Sequence, residues 1–246
     1  MRKIFINLLC ALIPSRKLRH RMRMRMTFDI RPLIKFALKD ANMKHVRIDI
    51  FQGHGGMKKV IIVLDKRKAY KFPLVPARYD SPKTEKMFTD AFREVSPLQL
   101  PKMEIVPMNM NGKTIDVLKY DFISGTPIGS ISKETLNKYG DKIARQLAEF
   151  FYAIGQSDPK SIKHLKPSVR AKPGFMYGWA HNDIGGNFLV NENTGKITAV
   201  IDWESAKFCD WSQDVLAAHK YLKNRNSEYI MVKTLIEYEK LYNSHK

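Results

Sequence analysis

Residues 180–204 constrain this chain most tightly. Leu189-Val190 and Ile197–Ile201 are short apolar runs on either side of Asn193-Thr194-Gly195, the pattern of a hairpin with a glycine-containing turn. Asp183 precedes the hairpin, Asn187 enters it, and Asp202 closes it. The apolar run ending at Ile201 sets Asp202 at a strand end, on a rigid support. Two carboxylates and an amide around one hairpin are the set that phosphoryl transfer uses. One Asp orients an acceptor hydroxyl and takes its proton, while an Asn and a second Asp hold Mg²⁺ against the phosphates of a nucleotide.

In order, His181-Asn182-Asp183, then Asn187, then Ile201-Asp202-Trp203-Glu204 resemble the aminoglycoside phosphotransferase and choline kinase superfamily, relatives of the protein kinases. Asn182 between His181 and Asp183, together with Glu204 and Asp214, is similar to the choline kinase version. Asp210 stands where choline kinases usually carry Asn and aminoglycoside enzymes Asp. The resemblance implies that Asp183 is the catalytic base with His181 beside it, that Asn187 and Asp202 bind Mg²⁺, and that Glu204 and Asp214 support them. One spacing departs from the family. Its catalytic Asp and metal Asn stand five residues apart, and Asp183 and Asn187 stand four apart. Either the loop is shortened around Gly185-Gly186, which are permissive enough to bridge it, or Asn182 takes the position of the base and the base is lost. The match at His181 favours the shortened loop.

The N-terminal half fits the same resemblance. Val46, Ile48 and Ile50 alternate with Arg47 and Asp49; Val60–Leu64 and Ala69–Phe72 follow around the turn Asp65-Lys66-Arg67. This reads as a three-stranded antiparallel meander. Its first turn holds Gly53, Gly55 and Gly56, the loop that would cover the phosphates through backbone N–H groups. Lys71 lies mid-strand among apolar residues and needs a partner if buried; the resemblance makes it the α/β-phosphate ligand. Its expected partner is Glu94 of the Arg93-Glu94 pair, with Glu85 as the alternative. Ile115–Ile123 reads as a further strand, whose end at Asp121 and Ile123 would supply the hinge contacts to adenine.

Helices are expected over residues 27–45, over 82–96 opening at Ser81-Pro82, and along the face Leu136, Tyr139, Ile143, Leu147, Phe150, Ile154 capped by Ser132; the tail from 212 onward is also helical. Strands first and helices later imply an α+β chain. The resemblance makes it a two-lobed, protein-kinase-like fold, with a small antiparallel-sheet N-lobe over 27–123 and a mainly helical C-lobe over 124–246. Ser124-Gly125-Thr126-Pro127 is the candidate hinge.

Residues 1–26 stand apart. Ile4–Ile13 is apolar but too short to span a bilayer. The segment carries eight Lys/Arg and no acid. Such a segment suits the inner face of an anionic membrane, or a basic arm or a packed helix. Its Leu8–His20 stretch resembles the opening of some bacterial surface-polysaccharide enzymes. The whole chain has a formal net charge of +19, which favours anionic partners such as nucleotides. Cys10 and Cys209 allow no disulfide framework, so a reducing, cytoplasmic setting is expected. No motif supports specific nucleic-acid binding.

The expected activity is an ATP- and Mg²⁺-dependent transfer to a hydroxyl of a small molecule or glycan, such as a sugar, choline or ethanolamine in surface-polysaccharide synthesis. A catalytically weak pseudokinase and an aminoglycoside kinase are the alternatives. The short segment after Asp202 argues against a protein kinase. Trp179, Trp203 and Trp211 are expected in the core rather than as a ligand platform.

Overall fold

A computed structural model describes residues 29–52, 58–78, 80–110, 112–167, 177–184, 186–212, 214–215, 218 and 228–244. The expectations for residues 1–26 and for Gly53, Gly55 and Gly56 lie outside them. Among the described residues helix α1 (Arg31–Asp40) comes first, then β1 (Ile48–Gln52), β2 (Lys59–Leu64) and β3 (Lys68–Pro73). Helix α2 (Ser81–Phe92) leads to β4 (Glu104–Met110) and β5 (Lys113–Asp121). These strands form one antiparallel sheet in the order β1-β2-β3-β5-β4. The meander is therefore extended by a second hairpin, whose strand β5 pairs with β3.

Alternation assigns the faces of this sheet. Val60, Ile62 and Leu64 of β2 and Tyr70 and Phe72 of β3 are buried against Leu33 and Ala37 of α1. The register pairs Ile61 with Lys71 and Lys59 with Pro73. Lys59 and Lys71 thus share the opposite face. Tyr70 donates to Asp40 Oδ2 at 2.7 Å, tying β3 to the end of α1.

The second half is built on α3 (Lys133–Gln156). Ser132 caps it in extended conformation, its Oγ accepting from Thr135 N at 3.1 Å. Leu136, Ile143, Leu147, Phe150 and Ile154 are buried on one face. Strand β7 (Tyr177–Ala180) pairs with β10 (Lys207–Asp210); β6 (Thr126–Pro127) pairs with β8 (Phe188–Asn191), which pairs with β9 (Lys196–Val200). The β8–β9 hairpin turns at Gly195, whose φ of +64° suits glycine. Helix α4 (Glu228–Ser244) packs on α3.

Among the described residues two hydrophobic cores result. The larger holds the three tryptophans, 1%, 0% and 5% exposed at 179, 203 and 211, so the core reading of these residues is correct. Helix α2 also belongs to this core. Phe92 stacks on Trp203 with ring centroids 5.2 Å apart, and Phe88 meets Trp179 at 5.9 Å. The helix that borders the sheet is therefore anchored in the helical half, beside Asp202.

Candidate active site

Asp202 ends the β8–β9 hairpin and begins a single helical turn, Trp203–Ser205. Its backbone is left-handed, φ 68° and ψ 54°, a region that Asp tolerates better than bulky residues. Trp203, fully buried, locks the position from behind. The Asp202 carboxylate meets two lysines from the sheet. Lys71 Nζ donates to Oδ1 at 2.7 Å, and Lys59 Nζ donates to the two oxygens at 2.7 and 2.6 Å.

Lys71 also donates to Glu85 of α2, and both side chains are almost wholly buried. Glu85 rather than Glu94 is the partner of Lys71, which corrects the first expectation in favour of its alternative. Helix α2 ends at Phe92, and Glu94 lies beyond it, exposed. Glu85 sits in the first turns of α2, which packs against β5 and β4. Ser81 is inside the helix and its N-cap position falls to Asp80, without a side-chain cap. Burial alone would pull the Lys71 ammonium down. The carboxylates of Glu85, Asp202 and Glu204 outweigh it and raise the group, so Lys71 is held charged. Burial likewise opposes the Asp202 charge, but Lys71 and Lys59 hold its carboxyl well below the usual range.

Glu204 accepts from Lys59 through Oε1 at 3.0 Å, with Arg78 at 3.7 Å. Its Oε2 is buried and accepts no hydrogen bond among the described residues; Lys71 Nζ lies 3.8 Å away. Glu85, Asp202 and Glu204 bring ligand oxygens within 4.8 Å of one another. Hard oxygen donors, one of them the unpartnered Glu204 Oε2, fit Mg²⁺. The sequence reading missed Lys59 and Arg78. The alternation of β2, with its even-numbered residues buried, would have put Lys59 on the face of Lys71.

The 181–187 loop is pinned from beneath by Asp214. Its Oδ2 accepts from His181 N at 2.5 Å and its Oδ1 from Asn182 N at 2.6 Å. Burial pushes the Asp214 carboxyl up to about 7, against the pull of these two donors. Asn182 is left-handed, φ 61°, which turns the chain and leaves Asp183 exposed. Asn187 N donates to Ile184 O at 3.2 Å and its Nδ2 to Asp183 O at 2.5 Å. Ile201 N donates to Asn187 O at 3.0 Å, placing Asn187 beside the residue that precedes Asp202. Asn187 is thus held on the main chain of Asp183.

His181 differs from its expected catalytic place. It is fully buried, so no substrate reaches it. Its Nε2 donates to the Ile201 carbonyl at 2.9 Å, and its ring meets Trp203 edge-on at 4.7 Å. Burial lowers its pKa and keeps the ring neutral. His181 therefore positions the strand that carries Asp202. At the hinge, the Asp121 carboxylate faces solvent beside Lys68, 2.5 Å away, and Ile123 is half-buried. Phe122 N donates to Arg67 O, joining this segment to the β2–β3 turn.

Comparison with known proteins adds independent weight. Wild-type aminoglycoside 2'-phosphotransferase-IIIa, solved as a GDP complex, superposes with a TM-score of 0.63 at 14% identity, covering 85% of this chain and 83% of that one. The chain has the aminoglycoside phosphotransferase fold. A streptomycin–ATP complex of APH(2")-IIa gives 0.59 at 12% identity, over 85% and 82% of the two chains. Macrolide 2'-phosphotransferase MphH from Brachybacterium faecium gives 0.56 at 14%, over 85% and 82%. The sequence model of the phosphotransferase enzyme family matches residues 131–234, which hold the 181–187 loop, Asp202 and Asp214 of this phosphotransferase fold. No curated protein matches the chain by sequence.

Proposed function

We propose that the protein is an ATP-dependent phosphotransferase that moves the γ-phosphoryl group onto a hydroxyl of a small molecule or glycan. The observation that carries this reading is Lys71, a buried charged lysine that joins Glu85 of α2 to Asp202 at the hairpin mouth. Structural cores rarely bury three carboxylates together, because each must be desolvated; a site for a cation and a polyphosphate explains them.

Lys71 leaves Asp202 to bind the α/β-phosphates while Glu85 keeps it oriented. Asp202, Asn187 and Glu204 would hold Mg²⁺, which when bound neutralises charge developing on the phosphate oxygens. Asp183, exposed above the pinned loop, accepts the proton of the acceptor hydroxyl as the acceptor oxygen bonds to phosphorus and the bond from phosphorus to the β-phosphate oxygen breaks. Asp214 and His181 hold Asp183 and Asp202 in register. Asp121 and Ile123 would meet the adenine through their main chain, and the glycines at 53, 55 and 56 would cover the phosphates.

For the acceptor, the basic surface disfavours polycations and favours an anionic glycan. A sugar, or choline or ethanolamine, in surface-polysaccharide synthesis at the inner membrane face is our finer reading. The aminoglycosides and macrolides named for the structural neighbours are the competing class. Among the described residues no helix is long and apolar enough to cross a membrane, so membrane contact would rest on residues 1–26. Assay of ATP turnover against lipopolysaccharide-core sugars, amino alcohols, aminoglycosides and macrolides tests the proposal. Turnover with a sugar or amino alcohol supports it, and turnover with aminoglycosides alone overturns the finer reading. Mg·ATP binding without transfer to any acceptor favours the pseudokinase, which the shortened Asp183–Asn187 spacing motivates.

A further inference from the structure

Lys59 has no place in the site as the sequence motifs define it, yet it makes three bonds there. It is the first residue of β2, three positions after Gly56 in sequence, and shares the cleft face of the sheet with Lys71. Its ammonium donates to both Asp202 oxygens and to Glu204 Oε1. Only 16% of its side chain is exposed, little for a lysine. Lys71 has a second buried partner in Glu85, whereas among the described residues Lys59 bonds only Asp202 and Glu204. These are the oxygens a divalent cation would need. An ammonium bonded to both oxygens of one carboxylate occupies the position a cation held by both would take, so cation and Lys59 compete.

We propose that Lys59 is a second nucleotide-phosphate ligand that exchanges with the divalent cation on Asp202 and Glu204. The charges require the exchange. Three carboxylates, Glu85, Asp202 and Glu204, face two ammonium groups, with Arg78 at the edge. Adding a divalent cation leaves positive charge in excess, and a triphosphate supplies the missing negative charge. Lys59 then has four carbons of reach from a fixed strand, beside the segment expected to cover the phosphates. No bond is made or broken; the ammonium trades carboxylate oxygens for phosphate oxygens. This inference rests on the phosphotransferase reading.

The test measures two affinities in Lys59→Met: Mg·ATP by calorimetry, and Mn²⁺ in nucleotide-free protein by electron paramagnetic resonance. Loss of one charge-assisted phosphate contact weakens Mg·ATP by about tenfold or more, and removal of the competing cation tightens Mn²⁺ by about tenfold. Lys59→Arg keeps Mg·ATP affinity within roughly threefold, and Lys113→Met, a charge change at the exposed start of β5, leaves both affinities unchanged. A merely structural role for Lys59 would not move the two affinities in opposite directions. Unchanged Mg·ATP affinity, or unchanged Mn²⁺ affinity, in Lys59→Met overturns the proposal. Lys59→Gln carries the same two readings if the Met variant does not fold. Wild-type protein that binds no nucleotide refutes the phosphotransferase reading, and this proposal with it; normal wild-type binding with an indifferent Lys59→Met refutes this proposal alone.

Discussion

Lys71→Met should destabilise the protein in a way that depends on pH. Lys71 and Glu85 are 5% and 2% exposed at their side chains, so Glu85 has little water to fall back on. Removing one partner of a buried pair leaves an uncompensated charge, at a cost of about 3–5 kcal/mol. For a chain of this size that lowers the melting temperature by roughly 6–20 °C. The variant can recover part of the loss by protonating Glu85, whose pKa burial already raises. A carboxyl raised in the folded state contributes stability that is complete below its unfolded pKa and is lost as pH rises through the folded one. Lys71→Met should therefore be closest to wild type near pH 5 and fall behind toward pH 8, by up to about 1.4 kcal/mol per pH unit. Chemical denaturation at four pH values measures this. A variant within about 1 kcal/mol of wild type at pH 7.5, or a gap that does not grow with pH, would refute the buried-pair argument.

Other perturbations separate the parts of the site. Glu94→Gln should lie within about 0.5 kcal/mol of wild type, since Glu94 is exposed; a larger loss by denaturation would return Glu94 to the pairing. Asp214→Asn should cost about 2–3 kcal/mol, because an amide can accept from only one of the two N–H groups of His181 and Asn182. Hydrogen exchange at those amides should accelerate. The Asp214 carboxyl is raised to about 7, so its contribution is complete below about pH 4 and is lost as pH rises through 7. That component should vanish from the pH–stability curve of the variant. Ser132→Ala should cost about 1 kcal/mol through the lost cap and leave nucleotide affinity unchanged. At Gly178, an added Cβ would lie 2.3 Å from the Gly155 carbonyl oxygen, so Gly178→Ala should cost about 1–3 kcal/mol, read by thermal melting.

The sequence exposed some of this architecture because its signals were local. Two short apolar runs around a glycine turn defined the β8–β9 hairpin, and a serine cap with one apolar face defined α3. Strand β4 left no such trace. It is an edge strand, carries Pro107, and buries only Met108, and an edge is where a strand tolerates proline in its interior without a bulge. The partner of Lys71 depended on where α2 ends, which neither Glu85 nor Glu94 announces in its neighbours. Lys59 was hidden for a different reason. A lysine opening a strand reads as solvated until the strand register places it beside Lys71. Asp183 and Asn187 were legible as residues, but the bond from the Asn187 amide to the Asp183 carbonyl needed coordinates.

The central claim is that Asp183 serves phosphoryl transfer above a nucleotide site that it does not itself build. The most direct measurement compares Asp183→Asn with wild type in ATP turnover on the best acceptor of the panel, alongside Mg·ATP affinity. The account predicts affinity within about twofold and turnover lower by about 10²-fold or more. Turnover equal to wild type, or loss of nucleotide affinity in parallel with turnover, would contradict it.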